Sequence, residues 1–192
     1  MNSVKGTKTQ VNLMKAFAGE CSARNRYTFY ASVANKEGYK QMEASFLETA
    51  DQEKEHAKRL FRFMDGPGDV EITVGLPAGP ERDTVSNLRE AAAGEHHEWT
   101  EMYPEFADTA EAEGFKEIAE VMRRIAVAER SHEERFLAFA DNIEKGSVFK
   151  KDASVVWRCR NCGYVHEGTG APEKCPACAH PKAYFEVRAE NW

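Results

Sequence analysis

Glu53-Lys54-Glu55-His56 and Glu129-Arg130-Ser131-His132 are two copies of one short word, Glu-x-x-His. Each follows a lone glutamate, Glu20 or Glu95, at intervals of 33 and 34 residues. Residues three apart on a helix share a face, so each word aims a carboxylate and an imidazole at one point. Two such words plus one glutamate from each of two further helices form the ligand set of a di-iron or di-manganese carboxylate bundle. A single buried carboxylate is costly, and a cluster is tolerable only around cations of matching charge. The near-equal intervals also point to duplication of a helical hairpin.

The rest of the chain agrees with a four-helix reading. Apolar groups recur with helical period over 9–36, and Gly38 ends that run. A second helix is expected over 39–64, with Phe46, Leu47, Ala50, Ala57, Leu60 and Phe61 on its inner stripe and Asp65-Gly66-Pro67-Gly68 as its stop. Residues 69–83, rich in Gly and Pro, suit the long crossover of a ferritin-like bundle. Asp83 or Thr84 caps a third helix that runs to Glu113, with a kink or local bulge expected at Pro104. A fourth spans 115–144 and ends at Gly146. The expected fold is therefore mainly α: a ferritin-like four-helix bundle over 1–146, a linker over 147–153, and a small metal-stapled β/loop domain over 154–192. About 40 residues rarely fold without such a staple.

Totals narrow the function. The chain has 192 residues, and its 26 basic against 32 acidic side chains leave a net charge of −6. Phosphate neutralisation needs a basic surface, so nucleic acid is not expected as a partner. The segment Met1-Asn2-Ser3-Val4-Lys5-Gly6 lacks the apolar core of a secretory leader. No apolar run approaches the ~20 residues that span a bilayer. A cytoplasmic protein with no membrane partner is the expectation, and the cysteines, four of them in paired Cys-x-x-Cys spacing, read as metal or redox chemistry rather than disulfides.

The bundle site is not fully symmetric. Glu98 lies three residues past Glu95, whereas the matching position after Glu20 is Ala23. Two ferric ions with an oxide bridge carry plus four against minus five from Glu20, Glu53, Glu95, Glu98 and Glu129; two ferrous ions without the bridge are neutralised by four carboxylates. Reduction then favours exchanging one carboxylate for a neutral ligand, and Glu98 and His56 are the candidates to alternate on one iron. The alternative for Glu98 is a hydrogen bond to Tyr103 or a lysine. Tyr27, seven residues past Glu20, and Tyr103, eight past Glu95, are placed to donate to ligand carboxylates. His96 and His97 rotate off the ligand face and read as surface or supporting residues. Cys21 reads as a small apolar core residue.

Cys159-Arg-Asn-Cys162 and Cys175-Pro-Ala-Cys178 form two knuckles, and four thiolates so spaced make a tetrahedral sulfur site. Spacing alone slightly favours zinc. Gly163-Tyr164, Pro176 and the aromatic set Trp157, Tyr164 and Phe185 favour a rubredoxin-type iron site, with His166 and His180 in loops.

Taken together, Glu20, Glu53-x-x-His56, Glu95-x-x-Glu98, Glu129-x-x-His132 and the four cysteines in their Trp157-Arg-Cys159 and Gly163-Tyr164 setting resemble the rubrerythrin family over essentially the whole chain. The resemblance implies a peroxidase that reduces hydrogen peroxide to water, with a non-haem di-iron centre and one rubredoxin-type Fe(Cys)4 iron per chain. It implies electrons from an external donor, rubredoxin or an NAD(P)H oxidoreductase, and a role in oxidative stress protection. It also implies a head-to-tail homodimer in which the rubredoxin centre of one subunit faces the di-iron centre of the other, and it gives Glu98 and His56 as the exchanging ligands. Two rival readings are a ferroxidase or iron-storage protein, and a sensor or adaptor whose cysteines hold zinc.

Overall fold

The computed structural model describes residues 3–191. Its helices are α1 (Lys8–Lys36), α2 (Lys40–Phe61), α3 (Thr84–His97), α4 (Tyr103–Ala112) and α5 (Lys116–Glu144), with one π-helical turn, Glu98–Met102, joining α3 to α4. The Thr7 side chain caps α1 by accepting from the Gln10 N–H, and Asp83 caps α3 by accepting from the Ser86 N–H. Gly38 and Gly114 close α1 and α4 with φ of +84° and +86°, a conformation that carries no penalty in glycine. The next residue then folds back in both cases: Tyr39 N–H bonds Ala34 C=O and Phe115 N–H bonds Ala110 C=O, each at 2.8 Å.

These matching turns expose the duplication. The connectors 37–39 and 113–115 are equal in length, and Glu53 and Glu129 each lie 13 residues past the start of their helix, Lys40 or Lys116. The one-residue excess in the second interval therefore lies between Glu95 and Ala112. That is where the π turn sits, and a π turn absorbs one residue without changing helix direction. Pro104 follows immediately and has no N–H to return to the helix ladder. The bulge expected at Pro104 is thus present, and it begins at Glu98.

Helix α1 packs most closely on α2, and α3 on α5, so the bundle is two hairpins. The crossover between them runs from the start of α1, where Asp65 accepts from Val4 N–H at 2.6 Å, to its end, where Thr84 N–H donates to Glu37 at 3.0 Å. Two apolar clusters fill the bundle. One contains Leu13, Ala16, Leu60, Tyr103 and Ile118; the other contains Ala23, Tyr27, Phe46, Leu88 and Phe136. Between them lies a buried polar layer of Glu20, Glu53, Glu95, Glu129 and His132. Each helix thus reads apolar, ligand, apolar along its inner face. Phe46, Ala50, Ala57 and Leu60 are inside as expected, whereas Leu47 and Phe61 are exposed, because each is one position round from a buried neighbour.

The small domain is an antiparallel sheet in the order β2-β1-β3, formed by β1 (Lys150–Cys159), β2 (Val165–Gly170) and β3 (Phe185–Val187). The first strand already begins within the stretch read as linker. Trp157 is fully buried, packs with Phe185, Cys159 and Cys175, and donates its indole N–H to Gly168 C=O at 2.9 Å. His166 lies on β2 rather than in a loop, while His180 is in a loop, edge-on to Tyr184 at 4.6 Å. The sheet domain rests on the start of α2: Tyr39 stacks on Phe149, and Lys40 Nζ sits 5.1 Å from the Tyr184 ring centre. Among the described residues no helix is long and apolar enough to cross a membrane.

Candidate metal centres

Six of the seven predicted bundle ligands converge into two groups. Glu20, Glu53, His56 and Glu129 offer donor atoms within 4.8 Å of one another, and so do Glu53, Glu95, Glu129 and His132. Glu53 and Glu129 belong to both groups, while Glu20 and Glu95 sit at the two outer ends. The layout has the pseudo-twofold symmetry of the duplication, Glu20 matching Glu95, Glu53 matching Glu129 and His56 matching His132. The two imidazoles lie near-parallel with ring centres 6.1 Å apart.

His56 Nδ1 is 2.9 Å from Glu129 and 3.1 Å from Glu53; His132 Nδ1 is 2.8 Å from Glu129 and 3.1 Å from Glu53. Those separations are short, yet Glu20 Oε2, Glu53 Oε1, Glu95 Oε2, both Glu129 carboxylate oxygens and His132 Nδ1 are buried without a hydrogen-bond partner. Native interiors rarely leave one such atom, and six in one layer would cost many kcal/mol. Lone pairs converging without hydrogen-bond geometry are what two divalent cations require. The donor set fits a pair of iron ions.

The electrostatics tell the same story. Burial pushes the Glu20 carboxyl well above its usual range, and the Glu53 and Glu129 charges add to this against the pull of His56. Glu95 is pushed up to about 8 by burial and the Glu53 charge. Glu53 is also penalised by burial, but His132 and His56 outweigh it and hold Glu53 down to about 2. Burial disfavours protonated His132, yet the close Glu129 and Glu53 carboxylates carry it up to about 12, and His56 is raised likewise. Protons stand in for cations here.

The tyrosines complete the symmetry across helices rather than along them. Tyr27 on α1 donates to Glu95 of α3, and Tyr103 donates to Glu20 of α1. Each repeat thereby fixes the outer carboxylate of the other. The seven-against-eight spacing of these tyrosines from Glu20 and Glu95 is the π-turn residue again. Glu98 stands apart: it belongs to neither group, and among the described residues it makes no hydrogen bond to Tyr103 or a lysine. Burial, then the Glu20 and Glu95 charges, raise its carboxyl. His56, not Glu98, completes the group with Glu20, Glu53 and Glu129.

His96 and His97 are on the surface, as expected. His96 joins Trp99 on Glu133, at 3.0 Å and 2.5 Å, a polar cluster next in the chain to His132 that no spacing announced. Cys21 is only half-buried, so it is not the core residue expected; it sits one step round α1 from Glu20.

All four cysteines of the small domain converge. The Cys159–Cys178 and Cys162–Cys175 sulfurs are 3.8 and 3.7 Å apart. An ion about 2.3 Å from each sulfur at tetrahedral angles needs a separation of about 3.8 Å. Cys178 is held down to about 6, chiefly by the His180 backbone N–H, while Cys162, against the Tyr164 N–H, is pushed up to about 12 by the neighbouring cysteines, so the metal-free cluster favours one thiolate shared among the sulfurs. The two knuckles share one geometry: Gly163 N–H bonds Cys159 C=O and Ala179 N–H bonds Cys175 C=O, both at 2.9 Å. Gly163 has φ +80°, but the matching residue is Ala179 at φ +61°. The left-handed region costs a non-glycine residue ~1–2 kcal/mol, partly offset by the greater chain entropy of glycine when unfolded. Ala179→Gly should therefore stabilise the iron-loaded small domain by about 0.5–1 kcal/mol, read as a higher temperature for thermal bleaching of its visible band.

Comparison with known proteins agrees with this geometry. The rubrerythrin family profile matches residues 12–140, and the rubrerythrin rubredoxin-like domain profile matches 157–186. A rubrerythrin of Nitratidesulfovibrio vulgaris is 60% identical over 192 residues, covering 100% of both chains. The solved structure of fully reduced, all-ferrous nigerythrin superposes with a TM-score of 0.64 at 34% identity, covering 97% of this chain and 92% of that one. A Desulfovibrio desulfuricans bacterioferritin, 19% identical, superposes with a TM-score of 0.60 over 73% of this chain and 82% of its own, which shows the ferritin-like fold alone. With both units matched and relatives at this identity over the full length, the chain belongs to the rubrerythrin family.

Proposed function

We propose that this protein is a non-haem di-iron peroxidase that reduces hydrogen peroxide to water, with electrons passing one at a time through a rubredoxin-type Fe(Cys)4 centre. The observation that carries this reading is the presence on one chain of a buried two-ion carboxylate–imidazole layer and a separate four-thiol site. Iron held in that layer would supply the two electrons that cleave an O–O bond. Glu53 and Glu129 would be shared between the ions, with Glu20 and His56 on one side and Glu95 and His132 on the other. Tyr27 and Tyr103 fix the outer carboxylates through their hydroxyl protons. Glu98, whose carboxyl is raised by burial and then by the Glu20 and Glu95 charges, lies beside the layer and is the candidate to exchange with His56 and to carry a proton. Each thiolate site would feed electrons from a rubredoxin or an NAD(P)H oxidoreductase. The division into a bundle over 1–146 and a small domain over 154–192, a head-to-tail homodimer and a cytoplasmic location belong to the same reading.

A ferroxidase or storage role would not need an electron-transfer domain fused to every bundle. Stopped-flow mixing of the reduced protein should show oxidation by hydrogen peroxide at least a hundredfold faster than by dioxygen; the opposite order supports the ferroxidase. A red protein with thiolate-to-iron bands is expected, and a colourless small domain would mean zinc. Glu98→Ala should slow peroxide turnover at least tenfold while both ions remain bound, and unaltered turnover would reject the exchange.

A further inference from the structure

A groove of about 260 Å³ runs between α1 and α3 and is roofed by Val74-Gly75-Leu76-Pro77 of the crossover. Along α1 it extends from Lys15 to Arg26, about 16 Å at 1.5 Å per residue. Its walls are mainly apolar, with Val74, Leu76, Met102 and Phe106 facing in. Midway along it lies Glu98, the carboxyl just outside the metal layer. A Cβ built on Gly19 would stand 3.9 Å from Glu98 Oε1.

Two glycines set this space. Gly19 and Gly94 each immediately precede an outer ligand, Glu20 or Glu95, and both line the groove. Both are interior to helices, where glycine is destabilising relative to alanine. Neither has a positive φ, so the backbone does not demand glycine. A Cβ on Gly94 would meet nothing within 4 Å and would project into open groove. What the glycines provide is width.

Hydrogen peroxide does not need that width. A water molecule occupies about 30 Å³, whereas an apolar cavity of about 150 Å³ admits benzene. Lys15, Arg26 and His97 also line the groove, but its apolar stretch at Val74, Leu76, Met102 and Phe106 offers nothing to a small molecule that is all hydrogen-bonding groups and favours an organic substituent. We propose that the groove binds the hydrocarbon part of an alkyl or aryl hydroperoxide and sets its peroxy group at Glu98, making organic hydroperoxides a second substrate class. The inference rests on the peroxidase reading above. The reaction is ROOH plus two electrons and two protons giving ROH and water. The O–O bond breaks, each oxygen is reduced by one electron, one proton completes the alcohol and the other the water. The electrons come from the same external donor through the four-thiolate centre.

The test uses the full-length, iron-loaded protein. Calorimetric titration with 2-phenyl-2-propanol, the alcohol formed from cumene hydroperoxide, should show one saturable site per chain. Gly94→Leu, which fills the groove, and Leu76→Trp, a change on the exposed strap that leaves the bundle core alone, should each weaken that binding at least tenfold. In both variants the ratio of kcat/KM for cumene hydroperoxide to that for hydrogen peroxide should fall at least tenfold. No saturable binding in the parent, or unchanged binding and ratio in Leu76→Trp, overturns the groove assignment. Equal losses with both peroxides also overturn it, since the groove would then be a general water channel. A parent that binds the alcohol but reduces neither peroxide refutes the peroxidase reading instead.

Discussion

Stripping the ions from the bundle should lower its melting temperature by at least about 10 °C at pH 8 and by much less at pH 5. For a chain of this size about 1 kcal/mol corresponds to roughly 2–4 °C, so the expectation amounts to a few kcal/mol. The sign follows from proton linkage. Glu20, Glu95 and Glu98 have carboxyls raised by folding, Glu95 to about 8, so the metal-free fold binds protons more tightly than the unfolded chain does. Their contribution worsens as pH rises above the ordinary carboxylate range, for Glu95 until about 8. His132, raised to about 12, and His56 add stability that is complete below the ordinary imidazole value and fades as pH climbs above it. Glu53, held down to about 2, acts oppositely, but its loss is confined to pH below the ordinary carboxylate value. Between pH 5 and 8 all the large effects therefore run one way. Ions replace the protons when bound and remove that slope, so the gap between loaded and metal-free melting curves should widen with pH. A gap that is constant or narrows over this range would mean that protons on these carboxyls and imidazoles do not take the place of the ions, and no gap at any pH would mean that the layer holds no cations.

The slope has a structural origin that the sequence discloses only in part. That two Glu-x-x-His words and two lone glutamates share an interior is visible from helical period and order alone, because no other arrangement buries both the apolar stripes and the ligands. The cysteine knuckles are equally legible, since Cys-x-x-Cys spacing is local. Partnerships across helices are not. Tyr27 could be placed near a carboxylate, but its link to Glu95 rather than Glu20 depends on how the hairpins dock. The extra residue in the second interval was countable, yet only the backbone shows it spent in a π turn at Glu98. The half-exposed Cys21 and the exposed Leu47 and Phe61 depend on a rotation of one residue about a helix axis, finer than a periodic pattern resolves. The groove under Val74–Pro77 is least legible of all, because it is made by a crossover with no period to read.

Glu53→Ala and Glu129→Ala should each empty the bundle of both ions, whereas Glu20→Ala or Glu95→Ala should remove chiefly one. The distinction lies in the sharing: Glu53 and Glu129 offer donor atoms to both groups, and Glu20 and Glu95 to one each. Loss of a shared carboxylate takes a charged donor from each ion at once, and it leaves each imidazole only one of the two carboxylates that orient it at 2.8–3.1 Å. Iron analysis should fall from about three per chain to about one, the survivor being the four-thiolate iron with its visible band intact, since two ions belong to the bundle and one to the cysteines. Peroxide turnover should drop at least a thousandfold, to the level of free iron. The metal-free Glu95→Ala protein should nevertheless melt higher at pH 8 than the metal-free parent, because folding raises the Glu95 carboxyl to about 8 and penalises its charge, whereas metal-free Glu53→Ala should melt lower, because, against burial, His132 and His56 stabilise the Glu53 charge and hold it down to about 2. Retention of two bundle ions in Glu53→Ala would show that the layer is not bridged, and the peroxidase reading would lose its two-ion site.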